Sequence, residues 1–87
     1  DLDSVPKALP ALMRAAKLQK RAARAGVTVE TTPAELETLA GQIAAGENAE
    51  AALGELLFKA AALARQAGLD PEQALQKANA AFTAAPH

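Results

Sequence analysis

The chain has 87 residues, a net charge of −1, 51% hydrophobic residues and only 2% aromatic residues. A chain of this length supports one hydrophobic core, so we expect a single domain over residues 1–87. Alanine supplies much of the apolar content. The composition therefore predicts a thin helical core that association between copies would enlarge.

The charge and the residue types exclude several classes of protein. A net charge of −1 argues against a nucleic-acid binder, because such proteins neutralise phosphates with excess Lys and Arg. The lack of cysteine excludes disulfides and thiolate chemistry, and His87 is the single histidine. No uncharged apolar run is long enough to span a membrane. We expect a cytoplasmic protein, and the start at Asp1 rather than Met suggests a fragment of a longer chain.

The first predicted helix begins near Pro6 or Pro10, with Ser4 as a candidate cap, and ends at Gly26. Residues 1–26 carry six Lys and Arg against two Asp, a net charge of +4, whereas the remainder carries three against eight, a net charge of −5. This first helix therefore presents a basic face to solvent or to an anion. Its candidate phosphate-binding residues are Lys17, Arg21 and Arg24.

An extended linker should follow, because residues 27–29 are β-branched. Thr32, Pro33 and Glu35 then have the order of an N-cap, a first-turn proline and a capping-box acid, and the second helix should end near Gly46.

Asn48 is the expected cap of a third helix that is apolar on nearly every side, which predicts burial, with a close helix crossing at Gly54. This third helix should end at Gly68.

A fourth helix should begin at Asp70 and end before Pro86, and Phe82 should lie in the core. The short connections favour antiparallel neighbours, so we predict an all-α, four-helix antiparallel bundle.

Three segments, in the same order along nearly the whole chain, resemble the MazG-type nucleoside triphosphate pyrophosphohydrolases, in particular the C-terminal part of those proteins. The first is Leu9-Pro-Ala-Leu, followed by Lys17-Leu-Gln-Lys-Arg-Ala-Ala and Gly26. The others are Leu53-Gly-Glu-Leu-Leu-Phe and Asp70-Pro-Glu-Gln-Ala-Leu, the last leading to Asn79. The agreement of all three is more specific than any one alone.

The resemblance implies an oligomeric all-α fold, with a dimer favoured, that splits nucleoside triphosphates into monophosphate and pyrophosphate. It also implies Mg²⁺ held by a Glu-Glu-x-x-Glu motif on one helix and a Glu-x-x-Asp motif on the next. Residues three or four apart share a helix face, so two antiparallel helices can direct these carboxylates at one cation.

Most of these carboxylates are missing from the chain. The first motif falls on Ala34, Glu35 and Thr38, and the second falls on Ala52 and Glu55. Three of the five expected acids are therefore absent, which should weaken Mg²⁺ binding severely.

Glu35 and Glu55 remain as candidate metal ligands, although the capping box accounts for Glu35 without a metal and pairing with a basic side chain would account for Glu55. The resemblance makes Asn79 a candidate substrate contact, and a hydrogen bond on the helix surface or between helices is its simpler role. The basic face of the first helix, which includes Lys17, Arg21 and Arg24, is likewise explained more simply as an ordinary solvated surface.

Two hypotheses follow from the sequence. In the first, the domain is catalytically degenerate, needs no cofactor, and has a structural, regulatory or dimerisation role. In the second, it is an active Mg²⁺-dependent hydrolase that uses Glu35 and Glu55 as a reduced metal site. The sequence identifies no catalytic residue and leaves enzymatic activity open.

Overall fold

The computed structural model describes residues 1–87 and consists of helices and connecting segments, without any strand. After a short 3₁₀-helix at Leu2–Ser4, the helices are α1 (Ala11–Arg24), α2 (Pro33–Ala45), α3 (Ala49–Gln66) and α4 (Pro71–Ala84). The predicted all-α helical bundle is confirmed. None of the four helices combines the length and the apolar character that crossing a membrane requires.

The starts of α2 and α4 follow the predicted capping chemistry. The Thr32 hydroxyl accepts a hydrogen bond from the Glu35 backbone N–H at 3.2 Å, and the Asp70 carboxylate accepts one from the Gln73 N–H at 3.0 Å. In both helices a proline follows the cap and occupies the first turn, where its missing N–H costs no helical hydrogen bond. These two boundaries are thus set by residues adjacent in the sequence.

The other boundaries agree only in part with the sequence predictions. Gly46 and Gly68 follow α2 and α3 with φ of 73° and 74°, a left-handed conformation in which glycine has no steric cost. Helix α1 begins after Pro10, but Ser4 does not cap it and lies instead in the 3₁₀-helix. Asn48 precedes α3 as predicted, yet its side chain makes no capping hydrogen bond.

Helix α3 is the centre of the bundle. It contacts each of the other three helices, and its longest interface is with α2. Helix α1 also packs on α4, whereas α2 contacts no helix except α3. The attachment of α2 to the rest of the domain therefore depends on α3 and on the preceding linker, residues 27–32.

Side chains from the second half of α3 hold the backbone of this linker. The Gln66 amide accepts a hydrogen bond from the Thr31 N–H at 3.0 Å and donates one to the Thr31 carbonyl at 3.3 Å, so one side chain satisfies both backbone groups. Lys59 donates to the Glu30 carbonyl at 3.3 Å, and Arg65 donates to the Val29 carbonyl. These bonds keep an extended segment against a helix without a β-sheet partner.

The core is thin and built largely from small side chains, with only 8 of 87 residues buried. Ala61 and Ala62 are fully buried, and Val5 from the N-terminal segment is 2% exposed. Gln19 is also buried at 1% exposure, and its amide donates to the Phe58 carbonyl at 2.9 Å. This bond links α1 directly to the backbone of α3.

Three burial predictions are wrong. Helix α3 is not buried on every side, because Leu53 and Leu57 remain 43% and 47% exposed. Phe82 is not a core residue, since it is 69% exposed and contacts the His87 ring at the C-terminus. A Cβ atom placed on Gly54 would have no heavy atom within 4 Å, so no helix crosses closely there.

The dimensions of the chain agree with this thin core. Its radius of gyration is 14.4 Å, whereas a compact chain of this length would have about 12 Å, so the bundle is open.

Gln66→Ala should lower the free energy of unfolding by about 1–2 kcal/mol, because the Thr31 N–H and carbonyl would both lose their partner. Urea unfolding followed by circular dichroism measures this loss. Gln73→Ala is the matched control, since no hydrogen bond involves the Gln73 side chain. Equal stability of the two variants would mean that the Gln66 amide does not hold the linker.

Candidate functional site

The Glu35 carboxylate, at the start of α2, is held by two side-chain donors, Thr31 and Lys59. Its Oε1 accepts a hydrogen bond from the Thr31 hydroxyl at 2.7 Å, and the Lys59 ammonium lies 3.3 Å from Oε1 and 3.4 Å from Oε2. The hydrogen bonds from Thr31 and Lys59, together with the Lys59 charge, hold the pKa of the Glu35 carboxyl below its usual value against the opposing effect of desolvation. The carboxylate is therefore kept ionised and already neutralised by an ammonium.

A capping box has two hydrogen bonds, and Glu35 makes only the first of them, the bond from its own backbone N–H to the side chain of the cap. Its backbone N–H bonds to Thr32 as predicted, but its carboxylate does not return to the backbone of the cap. The carboxylate reaches α3 instead, where Lys59 makes the only ion pair of the chain.

Sequence reasoning missed Lys59, although one signal was present. It is the single basic residue between the start of α3 and its last turn, and it stands among alanines and leucines. A lone cation on an otherwise apolar stretch usually has a carboxylate partner. Its partner is 24 residues away in the sequence, so only the packing of α2 on α3 identifies Glu35.

The remaining positions singled out in the sequence do not gather around Glu35. Glu55 is exposed and makes no hydrogen bond or ion pair, one helical turn before Lys59. Ala34 is exposed, and the Thr38 hydroxyl donates to the Ala34 carbonyl at 3.1 Å within the same helix. Ala52 is 4% exposed, so its methyl group belongs to the core. Glu35 is therefore the only carboxylate in this group with an organised environment.

The predicted phosphate-binding residues lie together in a different place. Lys17, Arg21 and Arg24 line one open cleft of about 320 Å³ between α1 and the N-terminal segment, and Lys20 joins them. A second, fully polar cleft of about 400 Å³ includes Glu35 and the linker residues 30–32. The two clefts have no lining residue in common, and α1 makes no contact with α2.

The chain is similar to two curated proteins named nucleoside triphosphate pyrophosphohydrolase, one from Escherichia coli strain K12 and one from Escherichia coli O157:H7. Each is 40% identical over 92 aligned residues, which cover 93% of this chain and 35% of the relative. The chain is a relative of the MazG-type pyrophosphohydrolases. The resemblance predicted from the three sequence motifs is thereby confirmed.

The similarity covers only part of these two relatives. The chain spans about a third of the length of the curated relatives that it matches. No protein-family model matches it.

The side chains at the MazG-type motif positions do not fit a Mg²⁺ ion. Mg²⁺ requires near-octahedral oxygen ligation at about 2.0–2.1 Å. Nowhere in the structure do three or more His, Cys, Asp or Glu side chains come together. Both oxygens of Glu35 already contact the Lys59 ammonium. The Glu35 carboxylate therefore binds the Lys59 ammonium, and the structure provides no group of carboxylates for a Mg²⁺ ion.

Asn79, the candidate substrate contact, is apart from both clefts. It is exposed on α4, makes no hydrogen bond and lines neither of them. The residues that the MazG-type resemblance assigns to metal, phosphate and substrate therefore occupy three separate surfaces of one chain.

Glu35→Gln should flatten the loss of stability on acidification. Because the folded-state pKa is lowered, the carboxylate stabilises the fold above the ordinary glutamate pKa of about 4.3, and this contribution disappears as the pH falls through the lower folded value. Urea midpoints between about pH 3 and pH 7 measure the effect. Glu55→Gln is the control, since Glu55 has no partner to lose. Parallel pH profiles for the wild type and Glu35→Gln would contradict the assignment.

Proposed function

We propose that this domain is a catalytically degenerate member of the MazG-type group whose role is structural or regulatory, through association with a second copy of itself. The relatives are named nucleoside triphosphate pyrophosphohydrolases, and the alternative for this chain is an active Mg²⁺-dependent enzyme of the same kind.

The ion pair between Glu35 and Lys59 is the observation that carries the proposal. Of the five motif positions, Glu35 is the acid placed at the α2–α3 interface, and an ammonium neutralises it from within the chain. A divalent cation would have to displace that ammonium and then compensate for the absent carboxylates at Ala34, Thr38 and Ala52. The Lys59 ammonium thus stabilises Glu35 at the α2–α3 interface without a metal ion.

An exposed apolar face supports association between copies. Leu57 on α3 and Leu75 on α4 line one cavity, Leu53 lies one helical turn before Leu57, and Phe82 lies about two turns after Leu75; we call this set the α3–α4 face. All four side chains are at least 43% exposed, and α4 contains no buried residue. Large apolar side chains grouped in this way on a small domain are typical of an interface.

The shape of the α3–α4 face favours a second copy as its partner. An apolar cavity of about 340 Å³ includes Leu57, Leu75 and Gly54, and no charged residue lines it. Space for a closely approaching helix is open at Gly54. A twofold axis at this position would bring two identical apolar faces together and would enlarge a core that has few buried residues.

Incubation with nucleoside triphosphates and Mg²⁺ should release no pyrophosphate above background. The E. coli K12 relative, tested in parallel, is the positive control. Metal-dependent release from the wild type that disappears in Glu55→Ala would establish the enzyme alternative and overturn the degenerate assignment.

Leu57→Glu should convert a dimer into a monomer, because a carboxylate would be buried at the α3–α4 face. Light scattering coupled to size exclusion measures the mass of each variant at the same concentration. Val27→Glu is the matched control, since Val27 is 61% exposed in the linker and away from this face. A wild-type monomer, or equal masses for the two variants, would remove the case for this interface.

A further inference from the structure

Two neighbouring cavities lie between the first half of α1 and the middle of α3. One, of about 360 Å³, has two cationic side chains in its lining, and the other, of about 340 Å³, is the apolar cavity of the α3–α4 face. Ala11, Ala15 and Phe58 line both, so the two cavities adjoin and form one groove, which we call the α1–α3 groove. Its cationic end contains Lys7 and Arg14, and its apolar end contains Leu12, Gly54, Leu57 and Leu75.

The two cations at one end of the groove have no carboxylate partner. The only ion pair of the chain joins Glu35 to Lys59, and no acidic side chain lines either cavity. The Nε–H of Arg14 is buried and has no acceptor, so this guanidinium has lost part of its hydration without gaining a hydrogen bond. An oxyanion interacts more strongly with such a guanidinium than with a fully hydrated one.

The start of α1 adds to the positive potential at this end of the groove. Pro10 occupies the cap position without a capping hydrogen bond from a side chain, and the first turn contains no acidic residue. The free N–H groups of the first turn carry the positive end of the helix dipole. Ala11, the first residue of α1, lines the cationic cavity, so the dipole acts in the same direction as Lys7 and Arg14.

The other end of the groove suits a hydrocarbon chain. Leucines from α1, α3 and α4 line it, and no charged residue takes part. Leu57 and Leu75 are 47% and 46% exposed, and the space beside Gly54 is free of other atoms. An alkyl chain placed there would remove the two leucines from water and would bury its own surface as well.

We propose that the α1–α3 groove binds a free medium-chain fatty acid, with its carboxylate between Lys7 and Arg14 and its alkyl chain in the apolar cavity. Each of the two cavities has a volume typical of small-molecule sites. A ligand with several negative charges and no apolar part would leave the leucines exposed, whereas an alkyl carboxylate satisfies both ends of the groove. The two cations are different from those of the cleft at Lys17, Arg21 and Arg24.

The apolar end of the groove belongs to the α3–α4 face, so a fatty acid and a second copy of the chain would exclude each other there. Binding of the ligand would therefore regulate association. This consequence rests on the proposed function, whereas binding to a single copy does not. Saturating decanoate should convert a wild-type dimer into a monomer, which light scattering measures. A dimer mass that decanoate leaves unchanged would overturn the competition, and Leu57→Glu tests the interface separately.

Isothermal titration of the whole chain with sodium decanoate tests the site, below the critical micelle concentration and at a protein concentration that gives the monomer mass. Octanoate should bind about tenfold more weakly, because two fewer CH₂ groups are buried. 1-Decanol, which has the same chain without the charge, should also bind about tenfold more weakly. Acetate, which has the charge without the chain, should show no measurable binding. Backbone amide shifts in a ¹⁵N spectrum locate the ligand, and residues 11–18 and 54–58 should respond first.

One variant tests each end of the groove. Arg14→Gln should weaken decanoate binding about tenfold and leave 1-decanol binding unchanged, and Lys77→Gln, which removes an exposed cation from α4, is the matched control. Gly54→Leu should fill the apolar end and abolish the difference between decanoate and octanoate. Gly41→Leu on α2 is its control, and both leucines favour the helix over glycine. Circular dichroism verifies that each variant is folded.

Several outcomes would contradict this assignment. No measurable decanoate binding by the wild type, or equal losses in Arg14→Gln and Lys77→Gln, would overturn the site. Equal affinities for decanoate and 1-decanol would overturn the role of the cations. A chain-length dependence that persists in Gly54→Leu would overturn the placement of the alkyl chain. Pyrophosphate release and the mass of Leu57→Glu test the proposed function separately, so each proposal can fail without the other.

Discussion

The hydrogen bonds from α3 to the linker are the constraint on which the rest of the structure depends. Helix α2 contacts only α3, and the linker determines where α2 begins. Lys59, Arg65 and Gln66 bind three successive linker carbonyls, and Gln66 also binds the Thr31 N–H. An extended segment between helices has no backbone partners of its own, so it would otherwise be hydrated and variable in direction. By satisfying these groups, α3 fixes both the entry of the chain into α2 and the place where Glu35 meets Lys59.

Lys59 joins the linker to the start of α2, because its ammonium binds the Glu30 carbonyl and both oxygens of Glu35. In a metal site, carboxylates are held close together by the cation that they share. In this structure the Lys59 ammonium, a cation of the chain itself, contacts the single carboxylate of Glu35. The methyl group of Ala52 packs in the core, where a carboxylate would have to be desolvated.

The sequence was sufficient for the helices and insufficient for their packing. Thr32 and Asp70 act within three residues of themselves, so capping chemistry located α2 and α4 correctly. Burial depends on which faces meet, and periodicity alone placed Phe82 in a core that it does not enter. For the candidate site, too, the sequence predicted individual residues but not the contacts between distant ones. Motif spacing identified Glu35 and the basic face of α1, whereas the Lys59 partner and the separation of the two clefts arise from contacts between residues distant in the chain.

The attachment of α2 to a single neighbour has a consequence for the way in which the domain opens. Of the α2 side chains Leu39 is buried, Leu36 and Ile43 are half-buried, and polar bonds at the start of the helix add to this anchoring. Helices α1, α3 and α4 contact one another, so these contacts remain when α2 separates from α3. A local opening breaks only the contacts of the segment that opens, so its free energy is lower than that of global unfolding. We therefore expect the amide protons of α2 to exchange with solvent through a partial opening, as a separate cooperative unit, and those of α3 to exchange on global unfolding.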